Sequence, residues 1–295
     1  MRKGFSFILA VILMIGIMTP SAVLADEVIN EKLGVPIVVY GANLSEAEKE
    51  SVKKDLKVAE EAEVEELSVD GSDLIKYISG GDRNARMYSS AKITRQEEGE
   101  GLVINIVTPD NITQVTADMY ATAMLTAGIE DAVVEVAAPK KVTGHSALVG
   151  IYKAYEVSGE VLDTERTDTA NDELSLATKL SEKAGVDKDE VAQLLTDIKK
   201  QIAEQKPATK EEVEQIVNDQ LKKLNIQLSD ADRQLLIDLM DRISKLDIDF
   251  TKLNEQLTDM ASKIKDKLGD IDPSFWEKVK EFFRNMADSL KSLFS

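Results

Sequence analysis

The stretch that decides the fold, Val115–Val157, reads VTADMYATAMLTAGIEDAVVEVAAPKKVTGHSALVGIYKAYEV. Its first half predicts an amphipathic helix, because Thr116 is a favourable N-cap and Asp118 places a negative charge in the first turn, where the helix dipole favours it. Apolar residues then recur at helical spacing: Met119, Tyr120, Ala123, Met124 and Ala127. Gly128 is expected to end this helix in the left-handed conformation.

A buried strand and a second helix follow in the same stretch. Residues 132–138 form an almost continuous apolar run, interrupted by Glu135 and closed by Pro139, which suits a strand covered on both faces. Thr143 and Ser146 both offer a cap for the next helix. The apolar positions of that helix repeat at helical spacing: Leu148, Ile151, Tyr152 and Tyr155. We expect the whole unit to be structural, since nearly every apolar residue has a packing role.

The remaining N-terminal sequence predicts short strands: 35–40, 64–69, 89–94 and 102–107. The last two flank a Glu/Gly turn and are expected to form a hairpin. Ser45 and Glu48 have the spacing of a capping box and open a helix, and residues 73–78 predict another. The five glutamates within Glu60–Glu66 are interpreted as a solvated loop or an exposed strand edge. Residues 28–157 are therefore predicted to form a domain of the α+β or α/β class.

Beyond residue 159 the strand pattern stops and helical periodicity takes its place. Residues 160–295 contain glycine at two positions, Gly185 and Gly269, and both are expected helix ends. Helix starts are expected at three capping residues: Asp187, Thr209 and Ser229. We predict an acidic all-α helical region over 160–271, with about five or six helices packed as a bundle.

A distinct amphipathic aromatic C-terminal helix is predicted over 272–295, with Pro273 in its first turn. Its apolar face holds the only tryptophan and four of the seven phenylalanines, while four basic and three acidic residues give the segment a charge of +1. Such a helix is a candidate for contact with a membrane surface or a partner. The contact residues would be Phe275, Trp276, Val279, Phe282, Phe283 and Met286. Packing of this face on the helical bundle is the open alternative.

The start of the chain has the features of a secretory signal peptide. Arg2 and Lys3 form the positive segment, residues 5–18 the apolar segment, and Val23–Ala25 the cleavage site. The apolar segment is too short to favour a membrane-spanning helix. We therefore expect residues 1–25 to be removed by cleavage after Ala25, and the protein to be secreted or extracellular and associated with the cell envelope.

Composition excludes several classes of function. With 36 Lys+Arg and 54 Asp+Glu the formal net charge is −18, and loss of residues 1–25 changes it to −20. This charge opposes nucleic-acid binding, which depends on basic contacts to phosphate. No cofactor is expected, apart from weak binding of Ca²⁺ by the acidic surface. The chain has no cysteine, which excludes disulfides, thiolate zinc sites and cysteine nucleophiles. The oligomeric state is left open.

The sequence offers little support for nucleophilic or metal catalysis. His145 is the only histidine, so a multi-histidine metal site within one chain is excluded. Gly144–Leu148 resembles the start of a nucleophile elbow, but Leu148 stands where the closing glycine should be. The histidine of a catalytic triad also comes from elsewhere in the fold. Ser146 is therefore interpreted as a helix cap.

One candidate binding site and one enzymatic route remain. Arg83 and Arg86, beside Ser89 and Ser90, could form a small anion site; a salt-bridged loop is the commoner alternative. Paired carboxylates could support hydrolysis of a glycosidic bond, but 54 acidic residues make such a pair impossible to choose from sequence. No catalytic, cofactor-binding or metal-binding residue is predicted.

Six stretches, in their order and spacing, resemble one bacterial family. They are Gly41–Ser45, Arg86–Ser90, Met124–Ile129, Val136–Pro139, Thr143–Gly144 and Ala147–Glu156. The family is the YpuA-like family of secreted proteins, named for a domain of unknown function (1002), and the resemblance extends into the helical region and the aromatic terminus. His145 departs from the small residue expected there. The resemblance implies export by Gram-positive-type bacteria and association with the cell envelope, without an established activity.

These observations favour a non-enzymatic binding or scaffolding protein at the cell envelope. The helix at 272–295 is the expected contact with an envelope component or the membrane surface. The alternative is a carboxylate-based hydrolase acting on cell-wall polymers.

Overall fold

A computed structural model describes residues 33–183, 186–249, 251–252 and 255. The predicted signal peptide and C-terminal helix lie outside the described residues. The elements in chain order are β1 (Ile37–Gly41), α1 (Glu46–Asp55), β2 (Glu65–Val69), α2 (Gly71–Tyr77), β3 (Ser90–Arg95), β4 (Leu102–Ile106), α3 (Ala117–Ala127), β5 (Ala132–Ala137), α4 (His145–Val157), α5 (Thr164–Lys183), α6 (Lys188–Gln205), α7 (Lys210–Lys223) and α8 (Asp230–Lys245).

The five described strands form one mixed sheet in the order β2-β1-β3-β5-β4. β1 and β2 are parallel, and β4 and β5 are parallel. β3 runs antiparallel to both of its neighbours, β1 and β5. A mixed sheet followed by helices confirms the predicted fold class.

The predicted hairpin of residues 89–94 and 102–107 is wrong, because β5 lies between the two strands. β4, α3 and β5 form a parallel crossover unit, which places the apolar strand β5 in the interior of the sheet, paired on both sides. The loop between β3 and β4 is anchored to the start of β5 instead. There the Asp131 carboxylate accepts hydrogen bonds from the Gly99 (3.2 Å) and Gly101 (2.7 Å) N–H groups.

One face of the sheet is covered by α3 and α4, and the contact between them is apolar. Fully buried residues from both layers form this core: Val39, Ile93, Val134, Tyr120, Met124, Leu148 and Ile151. Thr116 caps α3 by accepting from the Met119 N–H, and Gly128 ends the helix with φ of 89°, as predicted. Local capping therefore fixes where the covering helix begins and ends.

The opposite face is partly covered by α1, where Val52 and the C-cap residue Leu56 pack on Val38 and Tyr40 of β1. The predicted capping box of Ser45 and Glu48 opens this helix.

A buried lysine on β3 joins the same layer to the sheet. Lys92 Nζ donates to the Leu56 carbonyl (2.9 Å) and lies 2.7 Å from Glu61 and 2.6 Å from Glu135. Three acceptors satisfy the three N–H donors of the ammonium group. One glutamate of the acidic run 60–66 is thereby a partner of a buried cation and not only a solvated charge.

In the region predicted to be helical, the described residues contain α5 to α8. Asp187, Thr209 and Ser229 cap α6, α7 and α8, as predicted. Apolar side chains of these helices belong to the same hydrophobic core as those of α3 and α4. One core therefore spans the sequence on both sides of residues 157–160. Among the described helices, none is long and apolar enough to cross a membrane.

Replacing Lys92 tests the buried cluster on the outer face. Lys92→Met would leave Glu61 and Glu135 facing each other and the Leu56 carbonyl without a donor. We expect the free energy of unfolding in urea to fall by about 2–3 kcal/mol. Lys53→Met, which removes a more exposed pair with Glu66, is the control and should cost less than about 1 kcal/mol. Equal losses in both variants would contradict this account of Lys92.

Candidate functional site at the carboxyl edge of the sheet

The carboxyl ends of four strands meet at one edge of the sheet. β1, β2, β4 and β5 all run in the same direction, and each is followed by a helix that begins at this edge. The antiparallel strand β3 starts there. Ligands of open α/β sheets bind outside the carboxyl ends of the strands, so this edge is the first place to look for a site.

The segment that leads into β3, residues 79–89, lies across this edge and is called the arginine loop here. Two glycines allow its close approach. A Cβ at Gly71 would lie 1.9 Å from the Arg83 carbonyl oxygen, and one at Gly41 would lie 2.4 Å from the Met87 carbonyl oxygen. Since these distances are far shorter than any van der Waals contact, the loop packs directly on the backbone of β1 and α2.

Hydrogen bonds from the first βα connection hold the loop in place. The Met87 N–H donates to Asn43 Oδ1 (2.8 Å), and the Asn43 N–H donates to the Met87 carbonyl (3.1 Å). The Gly41 N–H donates to Ser90 Oγ (3.3 Å). Sequence reasoning missed the role of Asn43; the local signal was an amide side chain two residues after the buried strand β1.

Arg83 and Arg86 are both exposed on this loop. Within the described part of the chain, neither guanidinium group forms an ion pair, so the alternative of a salt-bridged loop has no support there. Ser89 and Ser90, in contrast, are 1% and 0% exposed and have other partners. The structure brings the two arginines to the carboxyl edge, but the serine hydroxyls bond to other groups and do not complete a site with the arginines. The anion site stays a prediction, now limited to the arginines.

The loop after β5 adds two lysines next to the arginine loop. Lys140 Nζ lies 4.0 Å from the centre of the Tyr88 ring and 2.8 Å from a Glu48 carboxylate oxygen. Hydrogen bonds from Lys140 and from Ser45 lower the pKa of Glu48 to about 2, so this pair is neutral overall at ordinary pH. Lys141 is exposed and adds a further positive charge to the edge.

The start of α4 corrects one prediction. Neither Thr143 nor Ser146 caps this helix; its N-cap is Gly144, with φ of 108° and no side-chain cap. Any Cβ there would lie 2.7 Å from the Tyr120 hydroxyl, which instead donates to the Gly144 carbonyl (2.6 Å). Buried Tyr120 therefore decides this helix start. Ser146 Oγ accepts from the Ser89 N–H (3.2 Å) and so joins α4 to the arginine loop.

His145 contacts α5. Its Nε2 lies 3.3 Å from Thr178 Oγ1. Burial lowers the pKa of the imidazole, and the negative charge of Glu182 opposes that shift. The histidine thus contributes to the contact between α4 and α5.

Stretches that are distant in sequence converge at this edge. Gly41–Ser45 and Arg86–Ser90 are joined by the hydrogen bonds of Asn43 and Met87. Ser90 pairs with Ala137 in the sheet, which brings in Val136–Pro139. The bond between Ser89 and Ser146 brings in the start of α4. Three of the six stretches that resemble one family therefore meet at the carboxyl edge, and Ser146, which lies between two others, bonds to one of them.

The remaining predictions concern the C-terminal contact residues and the binding of metal ions. Phe275, Trp276, Val279, Phe282, Phe283 and Met286 lie outside the described residues. In the part of the chain that is described, no group of three His, Asp or Glu side chains converges on a position for a metal ion.

The close packing at Gly71 gives a test of the arginine loop. Gly71→Ala should displace the loop, because its new methyl group would overlap the Arg83 carbonyl. We expect trypsin to cleave after Arg83 and Arg86 faster than in the wild-type chain, since proteolysis requires an open segment. Ser72→Ala, at the exposed next position, is the control. Unchanged cleavage in Gly71→Ala would show that the loop is not held by this contact.

His145 predicts a pH dependence of stability. Its folded pKa is lowered by burial, so the unfolded chain binds the proton first as the pH falls below about 6.5. Stability is therefore present above this pH and is lost as the pH falls towards the folded pKa. The loss between about pH 7.5 and 5 in urea unfolding should be smaller for His145→Gln than for the wild type. Identical losses in the two proteins would contradict the inference that folding lowers the pKa of His145.

Comparison with known proteins places the chain in a family. A family model described as "Protein of unknown function (DUF1002)" matches residues 40–260. The uncharacterized protein YpuA of Bacillus subtilis (strain 168) is 37% identical over 190 residues, which cover 63% of this chain and 62% of YpuA. The chain thus spans less than two thirds of that relative. No solved structure matches significantly. Because the family model covers most of the sequence, the chain belongs to the DUF1002 family of proteins of unknown function.

Proposed function

We propose that this chain is an exported, non-enzymatic binding protein that recognises an anionic polymer of the cell envelope at the carboxyl edge of its sheet. The observation that carries the proposal is the arginine loop. Its backbone is fixed by Gly41, Gly71 and Asn43, while Arg83 and Arg86 are exposed without a described ion-pair partner. A fixed backbone presents the two guanidinium groups to a ligand.

The chemistry of the two arginines supports an anionic ligand. A guanidinium group binds carboxylate or phosphate through two parallel hydrogen bonds. A site whose backbone is already ordered loses less conformational entropy when the ligand binds. On a chain with a formal net charge of −18, a local positive patch is also needed to attract an anionic polymer at all.

The distribution of apolar residues favours a polymer over a lipid bilayer at this edge. Binding to a bilayer surface requires apolar side chains that enter the interface. The exposed large hydrophobic residues of the described chain are Ile75, Val157, Val161 and Leu235, and none belongs to the loops around the arginines. A bilayer remains the proposed partner of the predicted helix at 272–295.

A binding role fits the polar side chains at the edge better than catalysis does. Asn43, Ser89, Ser90 and Ser146 are hydrogen-bonded to one another or to the backbone, which stabilises the loops. The alternative, a carboxylate-based hydrolase, needs two acids that face a substrate. Glu61 and Glu135, which converge on the opposite face of the sheet, neutralise Lys92.

Co-sedimentation with purified Bacillus subtilis cell walls tests the proposal. Residues 26–295 would be compared with Arg83→Gln/Arg86→Gln, and we expect the double variant to bind about tenfold more weakly. Wild-type binding should weaken with added salt. Arg233→Gln/Arg242→Gln, which removes the same charge from half-exposed, ion-paired positions of α8, is the control and should bind like the wild type.

Two outcomes would contradict the proposal. One is equal binding by the wild-type chain and the Arg83/Arg86 variant. The other is loss of binding to walls in a chain that ends at Asp272, with the arginines intact, which would assign the contact to residues 273–295. Hydrolysis of the walls during incubation would favour the enzymatic alternative.

A further inference from the structure

The outer face of the sheet, opposite to α3 and α4, is covered unevenly. Thr94 of β3, Val133 of β5 and Val103 of β4 are cross-strand neighbours, and the alternation of side chains along a strand places all three on this face. They lie near the amino edge of the sheet, where β4 and β5 begin, and are called the outer row here. The apolar cluster around α1 includes Ala137, at the opposite end of β5.

Described apolar neighbours do not account for the burial of the outer row. Among the apolar residues of the five described strands, only Val103 and Val133 belong to neither of the described apolar clusters. Val103 is nevertheless 2% exposed, although it lies on the edge strand β4. The outer row therefore needs a cover that these clusters do not supply.

The chain beyond α8 reaches the amino edge beside the outer row. Lys252 Nζ lies 3.6 Å from carboxylate oxygens of both Glu98 and Glu130. Glu98 belongs to the loop that leads into β4, and Glu130 belongs to the turn that leads into β5. These are the two strands that carry the valines of the outer row. The part of the chain that follows Lys252 therefore starts next to this row.

A helix begins at this point. Asp249 Oδ1 accepts hydrogen bonds from the N–H groups of Thr251 (2.9 Å) and Lys252 (3.2 Å), as an N-cap does. Residues 251, 252 and 255 are helical and exposed. The sequence predicts that the helix continues, because apolar residues recur at every turn. These residues, called the C-terminal stripe here, are Leu253, Leu257, Met260, Ile264 and Leu268. None of the three exposed positions belongs to the stripe.

The segment 253–268 fits the outer face in length and in chemistry. As a helix, its 16 residues span about 24 Å, whereas strands of 5 or 6 residues span about 17–20 Å. Its narrow apolar face needs a partner, since polar and charged residues fill most of the other positions. Among the described residues of α5 to α8, Leu235 is the only exposed large hydrophobic residue, so the outer surface of these helices offers the stripe little apolar contact.

We propose that residues 253–268 form a helix whose C-terminal stripe packs on the outer row of the same chain. The ion pairs of Lys252 place the start of this helix at the amino edge. Strand β5 is then covered on both faces, as its apolar sequence indicates. The proposal is independent of the proposed function, because it involves neither the arginine loop nor residues 272–295.

A spin label on the polar side of the segment tests the proposal and leaves the stripe intact. Because the chain has no cysteine, Ser262→Cys in residues 26–295 provides a single attachment point for a nitroxide. We expect the label to broaden the amide NMR signals of β4 and β5 and to leave those of α7 sharp. Broadening confined to α7 and α8, or no broadening in any described element, would overturn the proposal.

A mixing experiment separates a contact within the chain from a contact between two copies. Isotope-labelled wild-type protein is mixed with spin-labelled protein that carries no isotope. The proposal predicts no broadening of β4 and β5 in this mixture. Broadening there would assign the outer row to a second copy of the chain and would overturn the proposal.

The reactivity of a cysteine in the outer row gives a second test. Val133→Cys should react slowly with a maleimide in the otherwise unchanged chain. Adding Leu257→Asp/Met260→Asp places two charges in the stripe, which should undock the segment and speed the reaction by about tenfold or more. Thr258→Asp/Ser262→Asp adds the same charge to the predicted polar side and is the matched control. Equal reaction rates with and without the two charges in the stripe would contradict the proposal.

A cysteine in the main core separates undocking from unfolding. Ala123 of α3 is fully buried between the sheet and the later helices. Ala123→Cys should stay unreactive towards the maleimide in the Leu257→Asp/Met260→Asp chain, because the proposed contact lies on the other face of the sheet.

Discussion

The direction of β3 is the constraint on which the rest of the structure depends. Because β3 runs antiparallel to β1 and β5, its first residue lies among the carboxyl ends of the other strands. The segment before it must then cross that edge, and Gly41 and Gly71 make room for its backbone. A single strand reversal thus brings two arginines to the edge where four helices begin. With β3 parallel, the same residues would lie at the opposite edge.

Buried polar groups link the layers around this sheet. Lys92 ties the α1 layer to one face. The pair of Lys199 and Glu173 joins α6 to α5 and is hydrogen-bonded to Thr122 and Thr126 of α3. Each ammonium group has three oxygen partners, and such fully satisfied groups select one arrangement of the elements more than they add stability. Tyr120 acts in the same way at the start of α4, through its bond to the Gly144 carbonyl.

Local features of the fold could be predicted from the sequence, whereas the pairing of distant elements could not. Thr116, Gly128 and Thr209 act within one helical turn, so their spacing was sufficient to predict the caps. Strand order depends on contacts between residues far apart in sequence, and the periodicity of β3 and β4 is the same whether they pair or not. Ser146 had the pattern of a cap, but Tyr120 decided the helix start.

In the candidate site, too, local features could be predicted and contacts between distant residues could not. Arg83 and Arg86 could be selected as charged neighbours in a loop. Asn43 could not be assigned to that loop, because its partner Met87 lies far away in the sequence. An NMR titration of residues 26–295 with soluble anionic fragments of purified cell walls tests the central claim most directly. The account predicts chemical-shift changes concentrated at Asn43, residues 83–88 and residues 140–146. Changes confined to residues 272–295 would contradict it. So would the absence of any change at fragment concentrations that correspond to saturated binding of the protein to intact walls.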